Sequence, residues 1–229
     1  MDIFKIFIDS IELILSFDTQ LFDIIFLSLF VSLNALIISS FFAIILGYIL
    51  ALKNFYFKNI LIIFFNSLMG IPPVVVGLIV YFIFSNQGPL GILELLYTPT
   101  AMIIAQIIIT FPIITSLSQE VFSHNWKHYV DHFRSLNIPS LGIMIILIRN
   151  SYFVLITVLL SAFGRAISEV GAVMIVGGNI DHYTRVMTTA ITLETRMGNL
   201  EYAMALGLVL IIFTMLINSL VYILNVRRR

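Results

Sequence analysis

Arg165 and Glu169 stand four residues apart between apolar runs, inside the stretch GRAISEVGAVMIVGGN (residues 164–179). Opposite charges at that spacing share a helix face. Near a membrane such groups are costly and turn toward an interior or a water-filled cavity. Gly177-Gly178-Asn179 is a turn signal, and the uncharged run from Val170 to Ile180 is too short to span. A helix is therefore expected to end or re-enter near the outer surface there. Behind it Thr184, Arg185, Thr188, Thr189, Thr192 and Thr195 supply hydroxyl and guanidinium donors. Two readings stay open: a structural ion pair beside a polar loop, or a gate that passes a polar solute, with an anion the natural candidate.

A second unusual stretch is Gly70-Ile71-Pro72-Pro73-Val74-Val75-Val76-Gly77, set in the middle of an apolar run. Two prolines remove backbone donors and clash with the preceding turn, so a helix must kink or break. In a bilayer the freed carbonyls must face protein or a water-filled cavity. That permits a packing kink or a hinge beside a pathway. A third candidate is the histidine series His124, His128 and His132, spaced for one helix face with Asp131 adjacent. The spacing can bind a metal, but no cysteine or glutamate completes a set at that spacing, and a partner-facing polar stripe is the preferred reading.

No catalytic constellation accompanies these residues. The chain lacks a GxxxxGK[ST] phosphate loop, a GxSxG elbow and an HExxH zinc motif. With 12 Lys and Arg against 12 Asp and Glu, its net charge is zero, which gives no pull toward nucleic acid. Zero cysteines exclude disulfides and thiolate chemistry. No cofactor of its own is expected.

The elements that must position these groups are membrane helices. Hydrophobic residues make up 60% of the 229-residue chain and charged residues 10%, with a mean hydropathy of +1.09. A soluble core of this size cannot hide that much apolar surface. Charge-free runs at Ile24–Leu52, Asn59–Leu93, Leu95–Gln119 and Tyr202–Val226 each exceed the roughly 20 residues that cross a bilayer. A further span near Ile145–Ala166 carries Arg149 and Arg165 only toward its ends. The expected fold is thus all-α with five transmembrane helices. Residues 1–20 place Asp2, Lys5, Asp9, Glu12 and Ser16 on one polar face, the pattern of an interfacial amphipathic helix on the outer surface rather than a signal peptide. Residues 21–229 then form a single membrane domain.

Orientation follows from the basic residues. With Arg227–Arg229 in the cytoplasm, five spans place eight Lys and Arg inside with two acids, and four outside with ten acids. That is an N-out, C-in protein in the cell membrane. The connection from Glu120 to Gly142 then lies inside. At about 23 residues it exceeds the usual connection of roughly 2–8. Val121, Phe122, Trp126, Tyr129, Val130, Phe133 and Leu136 recur in it with helical rhythm, so a short surface helix that meets a partner's groove or the membrane is expected.

These residues resemble the permease subunit of tungstate ABC importers. The resemblance rests on GRAISEVGAVMIVGGN (164–179), TRVMTTAITLET (184–195) and MGIPPVVVGLIVY (69–81), with shorter matches at GPLG (88–91) and TPTA (98–101). It implies a type I importer permease fold, working as a homodimer with two copies of an ABC ATPase and an extracytoplasmic solute-binding protein. ATP and magnesium would belong to the ATPase. It implies a coupling segment at Asp131, Phe133, Arg134, Ser135, Leu136 and Asn137, where DHFRSLN replaces a pattern like EAAxxxG. It also implies a translocation path or gate at Pro72, Pro73, Gly77, Arg165, Glu169, Gly171, Gly177, Gly178, Asn179, Thr184, Arg185 and Thr188. Molybdate and sulfate permeases share the layout, and a stand-alone channel or a membrane scaffold is the alternative of a different class.

Overall fold

A backbone in hydrocarbon has no water to bond, so each apolar run must close its own hydrogen bonds as helix. The computed structural model, which describes residues 3–136 and 138–226, follows that rule. Its described residues contain no strand and form nine α-helices. In chain order these are α1 (Ile3–Leu15), α2 (Thr19–Leu52), α3 (Lys58–Leu68), α4 (Pro73–Phe84), α5 (Pro99–Ser135), α6 (Ser140–Ile167), α7 (Gly171–Gly177), α8 (Met187–Met197) and α9 (Leu200–Val226). Asn137 and Arg227–Arg229 lie outside the described residues, as does the side chain of Arg134.

Four helices, α2, α5, α6 and α9, are long and apolar enough to cross a bilayer. The expected fifth, from Asn59 to Leu93, is not one straight helix. α3 and α4 meet at a bend of 103°. Pro73 occupies the first turn of α4, where its missing N–H costs nothing, and Pro72 precedes it in extended conformation. The last part of that run, Ser85–Leu93, leaves the helix for a turn and a short 3₁₀ segment. Asn86, Gln87, Gly88 and Pro89 explain why: freedom from charge is not the same as a preference for helix.

α2 and α5 form the centre. They run parallel in constant register: Ser39 meets Thr110 hydroxyl to hydroxyl at 2.9 Å, and Gly47 meets Ser118 eight residues further along each helix. A Cβ on Gly47 would sit 2.9 Å from the Ser118 Cβ, so the crossing depends on glycine. α6 returns antiparallel. Its start is tied by the Tyr48 hydroxyl donating to the Ser140 carbonyl (2.7 Å), and its end by Gln106 Nε2 donating to the Ala166 carbonyl (3.1 Å). α3, α4 and α7 pack on α5, α9 packs on α6, α8 lies between α9 and α2, and α1 packs on α9. α1 lays Ser10, Leu13 and Ile14 toward α9 while the apolar Phe4, Ile8 and Leu15 stay exposed.

The Glu120–Gly142 connection differs from expectation. α5 continues unbroken to Ser135, and only residues 136–139 join it to α6. No glycine or proline lies between Pro112 and Pro139, so nothing stops the helix until Pro139 restricts Ile138. Phe122 and Phe133 are buried against α2 and α6, with Trp126 stacked on Phe133 at 6.0 Å.

Candidate translocation core

α6 stops short. Gln106 lies two turns inside the start of α5, yet it already binds the last turn of α6. Beyond Ser168 the chain turns into α7, a helix of seven residues. The Glu169 carboxylate accepts the Ala172 N–H at 3.2 Å and so caps that helix. Arg165, by contrast, is exposed on the last turn of α6. The expected i,i+4 pair therefore does not form: the helix ends between the two residues and their side chains diverge. Among the described residues the Arg–carboxylate ion pair is instead Arg185 with Asp181, at 2.9 Å.

α7 ends in a left-handed turn. Gly178 has φ 69° and Asn179 φ 52°, conformations that glycine and asparagine tolerate best. Threonines close the turn. Thr184 Oγ1 donates to the Gly177 carbonyl (2.5 Å) and accepts the Ile180 N–H (2.9 Å). Thr188 Oγ1 donates to the Glu169 carbonyl (2.7 Å). Both hydroxyl protons are thus engaged by backbone. The Asn179 Oδ1 and Arg185 Nε atoms are buried without a hydrogen-bond partner.

The two unusual sequence stretches meet in space. A Cβ on Gly77 would lie 2.7 Å from the Ala172 Cα, and one on Gly171 would lie 2.5 Å from the Val74 Cγ2. α4 and α7 therefore touch backbone to backbone just beyond the Pro72-Pro73 break. Gly177 packs on Met102 of α5, and Gly178 on Tyr97. The Tyr97 N–H donates to the Val176 carbonyl at 2.8 Å. Partial desolvation, and then the neighbouring Tyr81, push the Tyr97 phenol above its ordinary value. Around these contacts Val76, Val80, Met102, Ala105, Val173 and Val176 make a dry core. Arg165 borders it, in a cleft of about 40 Å³ with Leu68, Met69, Ile71, Val76, Ile108 and Ile109.

The coupling candidates lie elsewhere, at the far end of α5. Phe133 is buried, Asp131, Ser135 and Leu136 are exposed, and Ser135 Oγ donates to the Asp131 carbonyl at 2.8 Å. His124 and His128 stack edge to face with ring centroids 4.9 Å apart. Among the described residues no three His, Asp or Glu side chains group as a metal site. Sequence reasoning passed over Gln106, although a lone amide in an apolar run is a visible signal, and Gly47, which carries none. It also passed over the groove between α5 and α6, about 420 Å³, where Glu120, His124, Asn150, Thr157 and Ser161 stand beside Leu117, Val121, Val154 and Val158.

A multi-span helical bundle whose broken helix packs glycine to backbone on a re-entrant turn has the build of a membrane conduit. Comparison with known proteins defines it further. Residues 43–229 match the family described as binding-protein-dependent transport system inner membrane component, and the chain belongs to that family. Such systems work in general with a binding protein and an ATPase. The chain is 43% identical over 213 residues, 93% of each chain, to a tungstate uptake system permease protein TupB of Peptoclostridium acidaminophilum. It is 39% identical over 207 residues, 88% of this chain and 89% of the relative, to a probable anion ABC transporter permease protein of Haloferax volcanii. A tungstate uptake system permease protein TupB of Campylobacter jejuni is 38% identical over 170 residues, 74% of this chain and 71% of its own.

Proposed function

We propose that this chain is the membrane subunit of an ATP-driven importer that carries tungstate into the cytoplasm by alternating access. The observation that carries the reading is the whole-length similarity to a tungstate uptake permease, which spans both the α3–α4 break and the Gly164–Asn179 segment. Two copies of the chain form the conduit, with the N-terminus outside and the α3–α4 pair counted as one of five spans. A solute-binding protein delivers the oxyanion, and two ATPase subunits, holding ATP and magnesium, drive the cycle. The end of α5 receives their motion at Asp131, Phe133, Ser135 and Leu136, together with Arg134 and Asn137.

Pro72, Pro73, Gly77, Gly171, Gly177 and Gly178 then act as the moving joint. Close backbone contact across α4 and α7 supports that role, because such contacts shift as discrete packings rather than bending continuously. Glu169, Thr184, Thr188 and Asn179 hold the gate's turn, and the Asp181–Arg185 pair closes its outer side. Charge-assisted donors suit an oxyanion, while weak contacts are needed for release, so most of the selectivity lies in the binding protein. The test is reconstitution of permease, ATPase and binding protein in proteoliposomes. Tungstate-stimulated ATP hydrolysis with uptake is the expected result. Preferential uptake of molybdate or sulfate would overturn the substrate, and absence of any oxyanion-dependent hydrolysis would overturn the importer.

A further inference from the structure

A membrane helix keeps polar side chains off any face that meets lipid, because hydrocarbon offers them no partner. Past its first turns α6 breaks that rule on one side; Arg149, also exposed, stands on the other side near its start. At about 100° per residue, Asn150, Thr157, Ser161, Arg165 and Ser168 fall within a sector of about 80°. All are exposed except Thr157, which is half-buried. Ile145, Tyr152 and Ile156 project from the opposite side and are exposed as well. α6 thus shows one face of lipid type and one polar face, and the described residues leave both largely exposed.

The polar face is chemically graded. The hydroxyls of Thr157, Ser161 and Ser168 bond back to the carbonyls of Phe153, Thr157 and Gly164 at 3.0, 2.9 and 2.8 Å. Those rotors can turn outward when a better acceptor arrives. The Asn150 amide and the Arg165 guanidinium have no hydrogen-bond or ion-pair partner among the described residues. Arg165 adjoins the α3–α4 break. At the other end, Thr157, Ser161 and Asn150 open on the groove of about 420 Å³ that faces Glu120 and His124 of α5. Asn125 Nδ2 donates to Ser151 Oγ at 2.5 Å across the floor of that groove.

We infer that this face of α6 is the wall along which the oxyanion moves, entered at Arg165 beside the broken helix and left past Asn150, with Arg165 setting its preference for anions. The inference rests on the permease reading above. Thr184 and Thr188 are buried, with their protons on backbone carbonyls, and Arg185 is matched by Asp181, so they offer an anion less than the exposed Arg165 does. Rotating hydroxyls after one fixed charge give contacts that bind and let go, as conduction requires. Glu120 at the inner end opposes an anion lingering there.

The chain has no cysteine, so single cysteines report without background. Asn150→Cys, Thr157→Cys, Ser161→Cys and the opposite-face control Ile156→Cys are each read in permease purified with its ATPase and placed in proteoliposomes. The readout is the rate of modification by small anionic and cationic methanethiosulfonates. The three polar-face variants should react and Ile156→Cys should not. At Ser161→Cys the anionic reagent should be favoured on the order of tenfold, the scale of local electrostatic focusing. Arg165→Gln should remove that preference, and tungstate should slow the modification. If T157C and S161C are as inert as I156C, or R165Q leaves the charge preference intact, the route is wrong. Wild-type tungstate uptake, measured alongside with the binding protein added, separates the two claims: uptake with inert polar-face cysteines overturns the route alone, and no uptake overturns the permease reading.

Discussion

Gly77 has no room for a side chain. A Cβ there would stand 2.7 Å from the Ala172 Cα and 3.1 Å from its carbonyl oxygen, and backbone atoms cannot step aside as the end of a side chain can. Gly77→Ala should therefore cost about 1–3 kcal/mol through overpacking, read as a lower midpoint of thermal unfolding in detergent. Gly207 in α9 has nothing within 4 Å of the same added atom. Gly207→Ala should leave the midpoint unchanged or raise it, since alanine is favoured over glycine in a helix by about 1 kcal/mol. Equal losses from both would show that the α4–α7 contact is not what limits stability. Residue types of this kind were legible in the sequence, but their partners were not. GIPPVVVG and SEVGAVMIVGG announce themselves by glycine and proline, yet nothing in either stretch says that the two touch. Arg165 and Glu169 illustrate the opposite error. Their spacing implied a shared face, and the helix ends at Ile167, before the second of them is reached.

At the scale of elements, charge-free runs located α2, α6 and α9, because long uncharged runs have no other way to satisfy their backbone, and the polar face within residues 1–20 pointed to α1. Such patterns failed where two properties were confused. Ser85–Leu93 is uncharged but rich in turn residues, and it leaves the membrane helix. The pattern of residues 120–135 predicts a separate short helix, yet they contain no breaker and continue α5, since backbone bonding rather than solvent preference decides where a helix stops. The prolines show how finely this acts. Pro112 sits inside α5 without ending it, whereas Pro72 and Pro73, following Gly70, end α3 and start α4. Replacing both by alanine removes a bias against helix of about 3 kcal/mol per interior proline. P72A/P73A should straighten the 103° joint. Spin labels placed at the exposed Ile63 and Phe82 positions should then report a longer distance, and uptake should fall. An unchanged distance would mean that packing of α4 on α7 fixes the bend by itself.

Across the whole molecule α5 is the member that connects its two ends. Its 37 residues extend about 55 Å at 1.5 Å per residue. Near its start it carries Met102 against Gly177 and Gln106 against Ala166; near its end it carries Phe133 and the exposed Leu136. A displacement applied at 131–136 thus reaches the α6–α7 turn through one continuous helix rather than through a flexible loop. Phe133 and Leu136 should then separate two kinds of defect. Phe133 is buried on Trp126 and the α2–α6 cluster, so Phe133→Ala should lower the unfolding midpoint, with a loss on the order of 3 kcal/mol for a buried aromatic. Leu136 is 70% exposed and belongs to none of the buried clusters among the described residues. Leu136→Ala should leave the midpoint alone and weaken retention of the ATPase during purification, with oxyanion-stimulated hydrolysis falling in step. A large stability loss at Leu136, or full ATPase retention without its side chain, would move the contact away from the end of α5. In that case the helix would be a strut between the gate and the membrane surface, and the drive would have to enter through another connection on the same side.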